Sequence, residues 1–254
     1  MDPLPRAGLG FRAFAHHPSH APHHVRLVLF DIDGTLLWSD GAGRRAMETA
    51  LTEVYGSPGS SEYRYDGKTD RQIVRELMRA VGHEDDHIDG GMERLVALYL
   101  EGLRAELDGG GRTVEVLPGV PDLLDELERR DDVVLGLLTG NIEAGAALKL
   151  GAAGIDMGRF RVNAFGSDAE ARPDLPAVAH GRAADLLGLE LAGERVVIIG
   201  DTPADIECGR ALGARAIGVA TGRYGVDELR AHRPAAVFAD LTSTAAVVDA
   251  VLGD

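Results

Sequence analysis

The pattern of apolar and polar residues changes twice along this chain of 254 residues. Residues 25–30 form a nearly unbroken apolar run, typical of a strand buried on both faces of a parallel sheet. For about eighty residues after Leu37, apolar residues recur instead at every third or fourth position. This spacing predicts amphipathic helices over 42–56, 70–81 and 91–107. We expect these three helices to form a small bundle of their own.

Strand-like and helical segments alternate from Val120 onward, which is the pattern of βαβ units in a parallel sheet. The predicted strands cover 133–138, 160–165, 195–199, 215–219 and 235–238, and the predicted helices cover 120–130, 143–151, 175–188, 204–213 and the short segment 226–232. We therefore predict an α/β fold with a Rossmann-like parallel sheet core and an inserted helical domain. The predicted domains are 25–38 with 117–254 for the core, 39–116 for the insertion, and 1–24 for a flexible, histidine-rich arm.

Composition excludes several classes of protein. A formal net charge of −15 and an isoelectric point near 5.0 argue against unspecific binding to nucleic acid or to an anionic membrane. No apolar run approaches membrane-spanning length, so no membrane partner is expected. Cys208 is the only cysteine, which excludes an intrachain disulfide and favours a reducing, cytoplasmic compartment. The arm over 1–24 lacks the continuous apolar core of a secretory signal.

Two carboxylates directly follow the first predicted strand. Asp31 and Asp33 stand where the apolar run meets a turn at Gly34 and Thr35. Side chains two residues apart in an extended strand point the same way, so both carboxylates can reach one cleft. An ordinary Asp-Gly turn is the alternative. Two neighbouring acids repel each other unless a cation or a proton compensates, and this cost favours a functional site.

The strand predicted over 133–138 ends in Thr139, Gly140 and Asn141, immediately before a helix. A hydroxyl and free backbone N–H groups at a helix start can hold an anion, and the helix dipole adds to the attraction. Helix capping without a ligand is the alternative for this segment. Ligands of such sheets bind outside the carboxyl ends of the strands, so this loop and the Asp31 loop are expected at one edge.

Two further acids follow the strand predicted over 195–199. Asp201 stands at its tip, and Asp205 comes one helical turn later, so both can face the cleft that holds Asp31. Hard divalent ions such as Mg²⁺ prefer oxygen ligands and need only two or three converging carboxylates. A capping role before Pro203 is the alternative for Asp201.

The order of these motifs resembles that of the haloacid dehalogenase-like hydrolase superfamily. Its four signatures correspond here to Asp31-Ile32-Asp33-Gly34-Thr35, Thr139, Arg172, and Gly200-Asp201 with Asp205. The resemblance spans residues 27–222, and the helical insertion looks like a C1 cap. Gly67-Lys68-Thr69-Asp70, Leu117-Pro118-Gly119-Val120 and the stretch 201–213 look most like phosphoglycolate phosphatase-like members. The third signature departs from the usual lysine, and Arg182 is a weaker candidate than Arg172 for its cationic role.

The resemblance implies a Mg²⁺-dependent hydrolase that cleaves a small phosphomonoester through an aspartyl-phosphate. Asp31 would be the nucleophile, and Asp33 the general acid and base, with a pKa raised toward neutrality by a like charge nearby. The implied metal ligands are Asp31, the Asp33 backbone carbonyl, Asp201 and Asp205, and the implied phosphate ligands are Thr139, the amides of Gly140 and Asn141, and Arg172. Lys68 is the preferred insertion contact to substrate; a solvated lysine is the alternative.

Two other functions stay open at this point. A phosphosugar mutase of the same superfamily would return the phosphoryl group to a sugar instead of to water. A receiver-like or non-catalytic phosphate-binding regulator would belong to a different class, but it would need neither Asp33 nor the large insertion. The expected partner is a small phosphorylated metabolite, and the expected state is a monomer or homodimer.

Overall fold

The computed structural model describes residues 25–109, 114–188 and 190–253, so the predicted arm over 1–24 lies outside the described residues. Its strands are β1 (Arg26–Phe30), β2 (Leu37–Trp38), β3 (Glu115–Val116), β4 (Val133–Leu138), β5 (Val162–Ala164), β6 (Val196–Gly200), β7 (Arg215–Val219) and β8 (Ala236–Phe238). A parallel sheet has the order β5-β4-β1-β6-β7-β8, and β2 pairs with β3 in antiparallel fashion. The predicted fold class, α/β with a Rossmann-like sheet and a helical insertion, is confirmed.

The helices are α1 (Ala42–Tyr55), α2 (Asp70–Ala80), α3 (Asp85–Asp108), α4 (Val120–Glu128), α5 (Glu143–Ala152), α6 (Leu175–Leu187), α7 (Pro203–Cys208), α8 (Val226–Ala231) and α9 (Thr244–Leu252). The sequence pattern did not predict α9 or the β2–β3 pair. Among the described residues, none of these helices is both long and apolar enough to cross a bilayer.

Two helix boundaries were predicted wrongly, and both errors involve glycine. α3 begins at Asp85 rather than at 91, and Gly91 lies inside the helix, where its backbone faces the Tyr55 ring. The predicted helix over 204–213 ends at Cys208, and a short 3₁₀ turn over Arg210–Leu212 follows. The backbone of Gly209 lies against Ile198 of β6, where a side chain would not fit.

The central strand β1 is buried on both faces of the sheet. Leu27 and Leu29 pack in the apolar cluster that α6 covers, whereas Val28 and Phe30 pack in the cluster that contains residues of α4, α5 and α9. All four side chains have no exposed surface, and burial of each contributes about 1.5–3 kcal/mol. A slip of one residue would exchange the two faces, so the strand register is strongly specified. This fixes Asp31 at the strand tip.

The helices α1, α2 and α3 share an apolar cluster of their own, separate from the two clusters of the sheet. Met47, Leu51, Leu77 and Tyr99 are buried in it. The cluster also includes Ile142, which follows β4 at its carboxyl end. The insertion therefore packs against the sheet edge at which the predicted site residues emerge; its boundaries at 38/39 and 116/117 stay a prediction.

Candidate active site

A cavity of about 300 Å³ lies between the carboxyl ends of β1, β4 and β6 and the helical insertion. Among the predicted site residues, those that line it are Asp31, Asp33, Lys68, Thr139, Gly140, Asn141, Arg172 and Asp201. Asp205 is buried and contacts Arg172, but it does not line the cavity. The structure thus brings residues from five distant segments of the chain to one place.

Three carboxylates converge beside this cavity. Ligand oxygens of Asp31, Asp201 and Asp205 all lie within 4.8 Å of one another, and all three side chains are buried. Burial raises the pKa of Asp31 to about 6, although the Arg172 guanidinium acts in the opposite direction. Burial and the charges of Asp205 and Asp31 raise the pKa of Asp201 well above its usual range. Buried hard oxygen ligands that repel one another fit a divalent cation such as Mg²⁺.

Within this cluster, Asp205 already has partners for both oxygens. One oxygen accepts a hydrogen bond from the Arg172 guanidinium, and the other accepts from the Thr202 hydroxyl at 2.6 Å and the Thr202 N–H at 3.0 Å. Thr202 and Asp205 together form the capping box that starts α7. The positions of these groups leave Asp31 and Asp201 as the better placed pair for direct contact with a cation.

The two arginines proposed for the cationic role lie in different surroundings. Arg172 is buried in the cavity wall, with a guanidinium nitrogen 3.3 Å from Asp31 Oδ2. Its Nε has no hydrogen-bond partner among the residues that the structure describes. Arg182 is largely exposed on α6 and binds Asp168 at 2.7 Å. Of the two candidates, Arg172 alone lies beside Asp31.

The turn after β1 is shaped to contact Asp201. Thr35 Oγ1 donates to Asp201 Oδ1 at 3.2 Å, and Thr221 Oγ1 donates to the Gly34 carbonyl at 2.6 Å. Gly34 has a φ of 81°, in the left-handed region, and a Cβ there would overlap the Asp201 carboxylate. The Asp-Gly-Thr segment therefore supplies contacts between the first and last predicted signatures, as well as a turn.

The loop after β4 is hydrogen-bonded to Asp70 of the insertion. Asp70 N–H donates to the Gly140 carbonyl at 2.8 Å, and Asp70 Oδ2 accepts from the Ile142 N–H at 2.9 Å. A Cβ on Gly140 would collide with the Lys68 carbonyl, so glycine is required for this close approach. Thr139 is fully buried, and its hydroxyl oxygen accepts from the Asn141 amide at 2.9 Å. The Thr139 hydroxyl proton is left available to a ligand in the cavity.

The surroundings of Asp33 contradict the prediction that its pKa is raised. Lys149 Nζ lies 2.6 Å from Asp33 Oδ2, and the same oxygen accepts from the Asn141 side-chain amide at 2.8 Å. Burial acts to raise the pKa of Asp33, but the Lys149 charge and the hydrogen bonds from Lys149, Asn141 and Ser39 outweigh it, and the net pKa is lowered. The like charge invoked from the sequence has a smaller effect than an opposite charge in direct contact.

Lys68 lines the cavity, but its ammonium already has partners. Lys68 Nζ donates to Glu76 Oε2 and, at 2.9 Å, to the Tyr63 hydroxyl, and it lies 4.4 Å from the centre of the Tyr63 ring. Arg64 and Arg223, which the sequence did not single out, also line the cavity. Arg223 lies 3.5 Å from Asp66 of the insertion.

Lys149 and Asp70 also line the cavity, and the sequence motifs assigned a role to neither of them. Lys149 is one of only two lysines in the chain, which was a signal in composition alone. Asp70 belongs to the Gly67–Asp70 segment that supported the resemblance. The resemblance did not predict that Asp70 lies beside the β4 loop. Both contacts join elements that are remote in sequence, so spacing could not reveal them.

The comparisons with known proteins agree with this geometry. The family model described as haloacid dehalogenase-like hydrolase matches residues 28–219. Phosphoglycolate phosphatase 1 of Pseudomonas aeruginosa is 30% identical over 213 residues, which cover 82% of this chain and 74% of that protein. Phosphoglycolate phosphatase of Pseudomonas putida is 28% identical over 221 residues, with 85% and 77% covered.

A solved structure shows the same fold at lower identity. A hydrolase from Pseudomonas syringae superposes with a TM-score of 0.67 at 21% identity, covering 88% of this chain and 98% of that one. The family match spans most of the chain, and the curated relatives are phosphatases. The chain therefore belongs to the haloacid dehalogenase-like hydrolases, as a phosphatase similar to the phosphoglycolate phosphatases.

Proposed function

We propose that this phosphatase hydrolyses a small phosphomonoester through an aspartyl-phosphate on Asp31, with Mg²⁺ at the acidic cluster. The observation that carries the proposal is the placement of Asp31. Its carboxylate faces the cavity beside the Arg172 guanidinium, with Asp201 in the same cluster, and Asp33 lines the same cavity. A nucleophile, a fixed cation and a second carboxyl group are the parts that phosphoryl transfer by covalent catalysis requires.

In the first half of the reaction, a carboxylate oxygen of Asp31 attacks phosphorus and forms an acyl phosphate bond. The bond between phosphorus and the ester oxygen breaks, and that oxygen takes a proton from Asp33, so the alcohol leaves neutral. Asp33 must hold a proton at this moment. The negative charge of the bound phosphoryl group favours that protonation, because a like charge nearby raises the pKa of a carboxyl group.

In the second half, water attacks the phosphorus atom and gives its proton to the ionised Asp33. The acyl phosphate bond breaks, which releases inorganic phosphate and restores the Asp31 carboxylate. Lys149 and Asn141 favour the ionised form of Asp33, which is the form that a general base needs. The Thr139 hydroxyl and the Arg172 guanidinium would hold phosphoryl oxygens in both halves.

The acidic cluster would hold the metal ion through Asp31, the Asp33 backbone carbonyl and Asp201. When bound, Mg²⁺ supplies the positive charge that allows an anionic nucleophile to approach an anionic phosphoryl group. Asp205 would act mainly through Arg172, because both of its oxygens already accept hydrogen bonds. Asp205 thereby holds the guanidinium next to Asp31.

The helical insertion would act as a cap over the substrate. Its residues supply one wall of the cavity, and exclusion of water during phosphoryl transfer favours attack by Asp31 over direct hydrolysis. Two curated relatives are named phosphoglycolate phosphatases, and we propose an alkyl phosphate of that size class as substrate. A cytoplasmic location, a monomeric or homodimeric state and the Lys68 contact stay predictions.

Phosphate release measured with Mg²⁺ and a panel of alkyl, sugar and aryl phosphates tests the proposal. We expect steady release over many turnovers, loss of activity in excess chelator, and recovery when Mg²⁺ is restored. A single phosphorylation per chain without turnover would contradict hydrolysis and indicate a receiver-like regulator. Transfer of the phosphoryl group to a second hydroxyl of a sugar phosphate, without release to water, would instead indicate a mutase.

A further inference from the structure

Lys149 is a buried charge that neither gains nor loses a bond in the proposed reaction steps. It lies in the last turn of α5, and only 6% of its side-chain surface is exposed. A buried ammonium is costly unless it is paired, and buried ion pairs are weak contributors to net stability. An apolar residue of similar volume would serve the packing of α5 at lower cost. The position of the charge therefore calls for a functional explanation.

The ammonium of Lys149 is committed to two partners at the edge of the cavity. It donates to Asp33 Oδ2 at 2.6 Å and to the side-chain oxygen of Asn141 at 2.7 Å. The amide nitrogen of Asn141 donates in turn to the same Asp33 oxygen at 2.8 Å. Lys149, Asn141 and Asp33 thus form a closed triangle of hydrogen bonds, which fixes the orientation of the carboxyl group.

The two oxygens of Asp33 have unequal surroundings as a result. Oδ2 accepts two short hydrogen bonds from the triangle, whereas the described residues give Oδ1 a single long one, of 3.3 Å, from the Ser39 hydroxyl. Oδ1 is therefore the oxygen with capacity for another partner. In the proposed reaction, that partner is the leaving-group oxygen first and the attacking water afterwards.

The insertion leaves a space that fits this ammonium. A Cβ on Gly43 of α1 would lie 3.2 Å from Lys149 Nζ, a tight contact that the ammonium would relieve by a small shift, and 3.4 Å from its Cε. It would also lie 3.7 Å from the Tyr99 hydroxyl. Glycine within the first turn of a helix is otherwise unfavourable relative to alanine. Its presence here leaves uncrowded room for the ammonium.

We propose that Lys149 is a positioning residue for Asp33, holding Oδ2 so that Oδ1 exchanges the proton with the leaving group and with water. This inference rests on the proposed function, because it assigns how the acid and base of that reaction is oriented. Lys149 itself touches neither the phosphoryl group nor the leaving group in this assignment.

Leaving groups of different basicity separate positioning from a structural role. An alkyl phosphate needs a proton on its leaving oxygen, whereas 2,4-dinitrophenyl phosphate does not. We expect Lys149→Met to lower kcat/KM for the alkyl ester by about 100-fold, with less than about 5-fold loss for the aryl ester. For the aryl ester, kcat should still fall, with a burst of phenol that matches the enzyme concentration, because water attack on the acyl phosphate needs the oriented base.

Three further variants complete the experiment. Lys149→Arg keeps the charge and should recover at least about 10-fold of the lost alkyl kcat/KM. Gly43→Ala crowds the ammonium without removing it, and should show the same preference for the aryl ester in a weaker form, at an undiminished unfolding temperature. Arg129→Gln removes one exposed charge from the end of α4 and serves as the control with unchanged kinetics.

The outcomes discriminate between the two proposals. Equal losses on both esters in Lys149→Met, accompanied by a lower unfolding temperature, would overturn the positioning role and leave a structural one. Wild-type kinetics in Lys149→Met would overturn it as well. Failure of the proposed function is seen separately, because the wild-type enzyme would then release no phosphate from either ester in the presence of Mg²⁺.

Discussion

Asp31 and Asp33 stand two positions apart at the end of one strand, yet their carboxyl groups have opposite surroundings. Asp31 is buried among Asp201, Asp205 and a single arginine, and its pKa is raised to about 6. Asp33 is bound by Lys149 and by the Asn141 amide, and its pKa is lowered. The first group meets its electrostatic partners from segments beside the sheet, whereas the second meets an ammonium that the insertion covers.

Because their surroundings differ, the two carboxyl groups of one short motif are suited to two different roles. A carboxyl group surrounded by other acids gains most from a metal ion, which favours its ionised, nucleophilic form when the ion is bound. A carboxyl group with an opposite charge in contact is kept oriented, and exchanges a proton only when substrate adds its own negative charge. Neighbouring titratable groups whose environments move their pKa values apart are a general sign of separate acid–base assignments.

Removal of the proposed nucleophile should cause the greatest loss of activity. Asp31→Asn should lower kcat by at least about 10⁴-fold, because an amide cannot form the acyl phosphate. Rapid quenching with a ³²P-labelled ester should detect no phosphorylated enzyme. Wild-type turnover, or labelling of the variant at wild-type levels, would refute the assignment of Asp31.

The repulsion within the acidic cluster around Asp31 is tested by Asp201→Asn. We expect a loss of about 10³-fold in activity, because the cluster loses a charged ligand for the cation. In excess chelator the same variant should unfold at a higher temperature than the wild type, because it lacks one of three mutually repelling carboxylates. Calorimetry measures both states, with the exposed Asp249→Asn variant as control, and an unfolding temperature below wild type in chelator would contradict the repulsion.

The acid–base role of Asp33 is tested by Asp33→Asn. Its activity on alkyl phosphates should fall by about 10²-fold or more, and phosphorylated enzyme should accumulate, because water attack lacks its base. The phosphorylated fraction during steady turnover, measured by acid quench, distinguishes this variant from Asp31→Asn. An unphosphorylated variant with the same loss would mean that Asp33 acts only before the acyl phosphate forms.

The mildest change in stability is expected at Asp70, the acid that hydrogen-bonds the insertion to the loop after β4. Burial raises the pKa of Asp70 to about 6, against opposing effects of Lys149 and the Ile142 N–H. The folded state therefore holds this proton more tightly than the unfolded state, so the group becomes destabilising as pH rises from about 4 to 6. Asp70→Asn lacks this contribution.

Relative to the wild type, the Asp70→Asn variant should thus gain a few degrees in unfolding temperature between pH 4 and pH 7. Thermal unfolding followed by circular dichroism at several pH values measures the difference. A difference that does not change with pH would show that the Asp70 carboxyl ionises as easily in the folded chain as in the unfolded one.

The sequence was sufficient for features that depend on periodicity and chain order. The apolar run before Asp31 predicted a central buried strand, and the spacing of later strands placed Thr139 and Asp201 at one sheet edge. Arg172 was assigned only from the order of the motifs. The sequence failed where tertiary contacts decide. Lys149 was expected on no particular surface, because helical periodicity does not show that the insertion covers that face of α5. The incorrect pKa prediction for Asp33 follows directly from that omission.

The hydrogen bonds between Asp70 and the loop after β4 link the position of the insertion to the geometry of the catalytic groups. Asp70 holds the Gly140 carbonyl and the Ile142 N–H at the same time, on either side of Asn141, which orients Asp33. Any motion that lifts the insertion to admit an ester must break these bonds. We therefore expect an open molecule to hold Asn141 and Asp33 less firmly than the closed one.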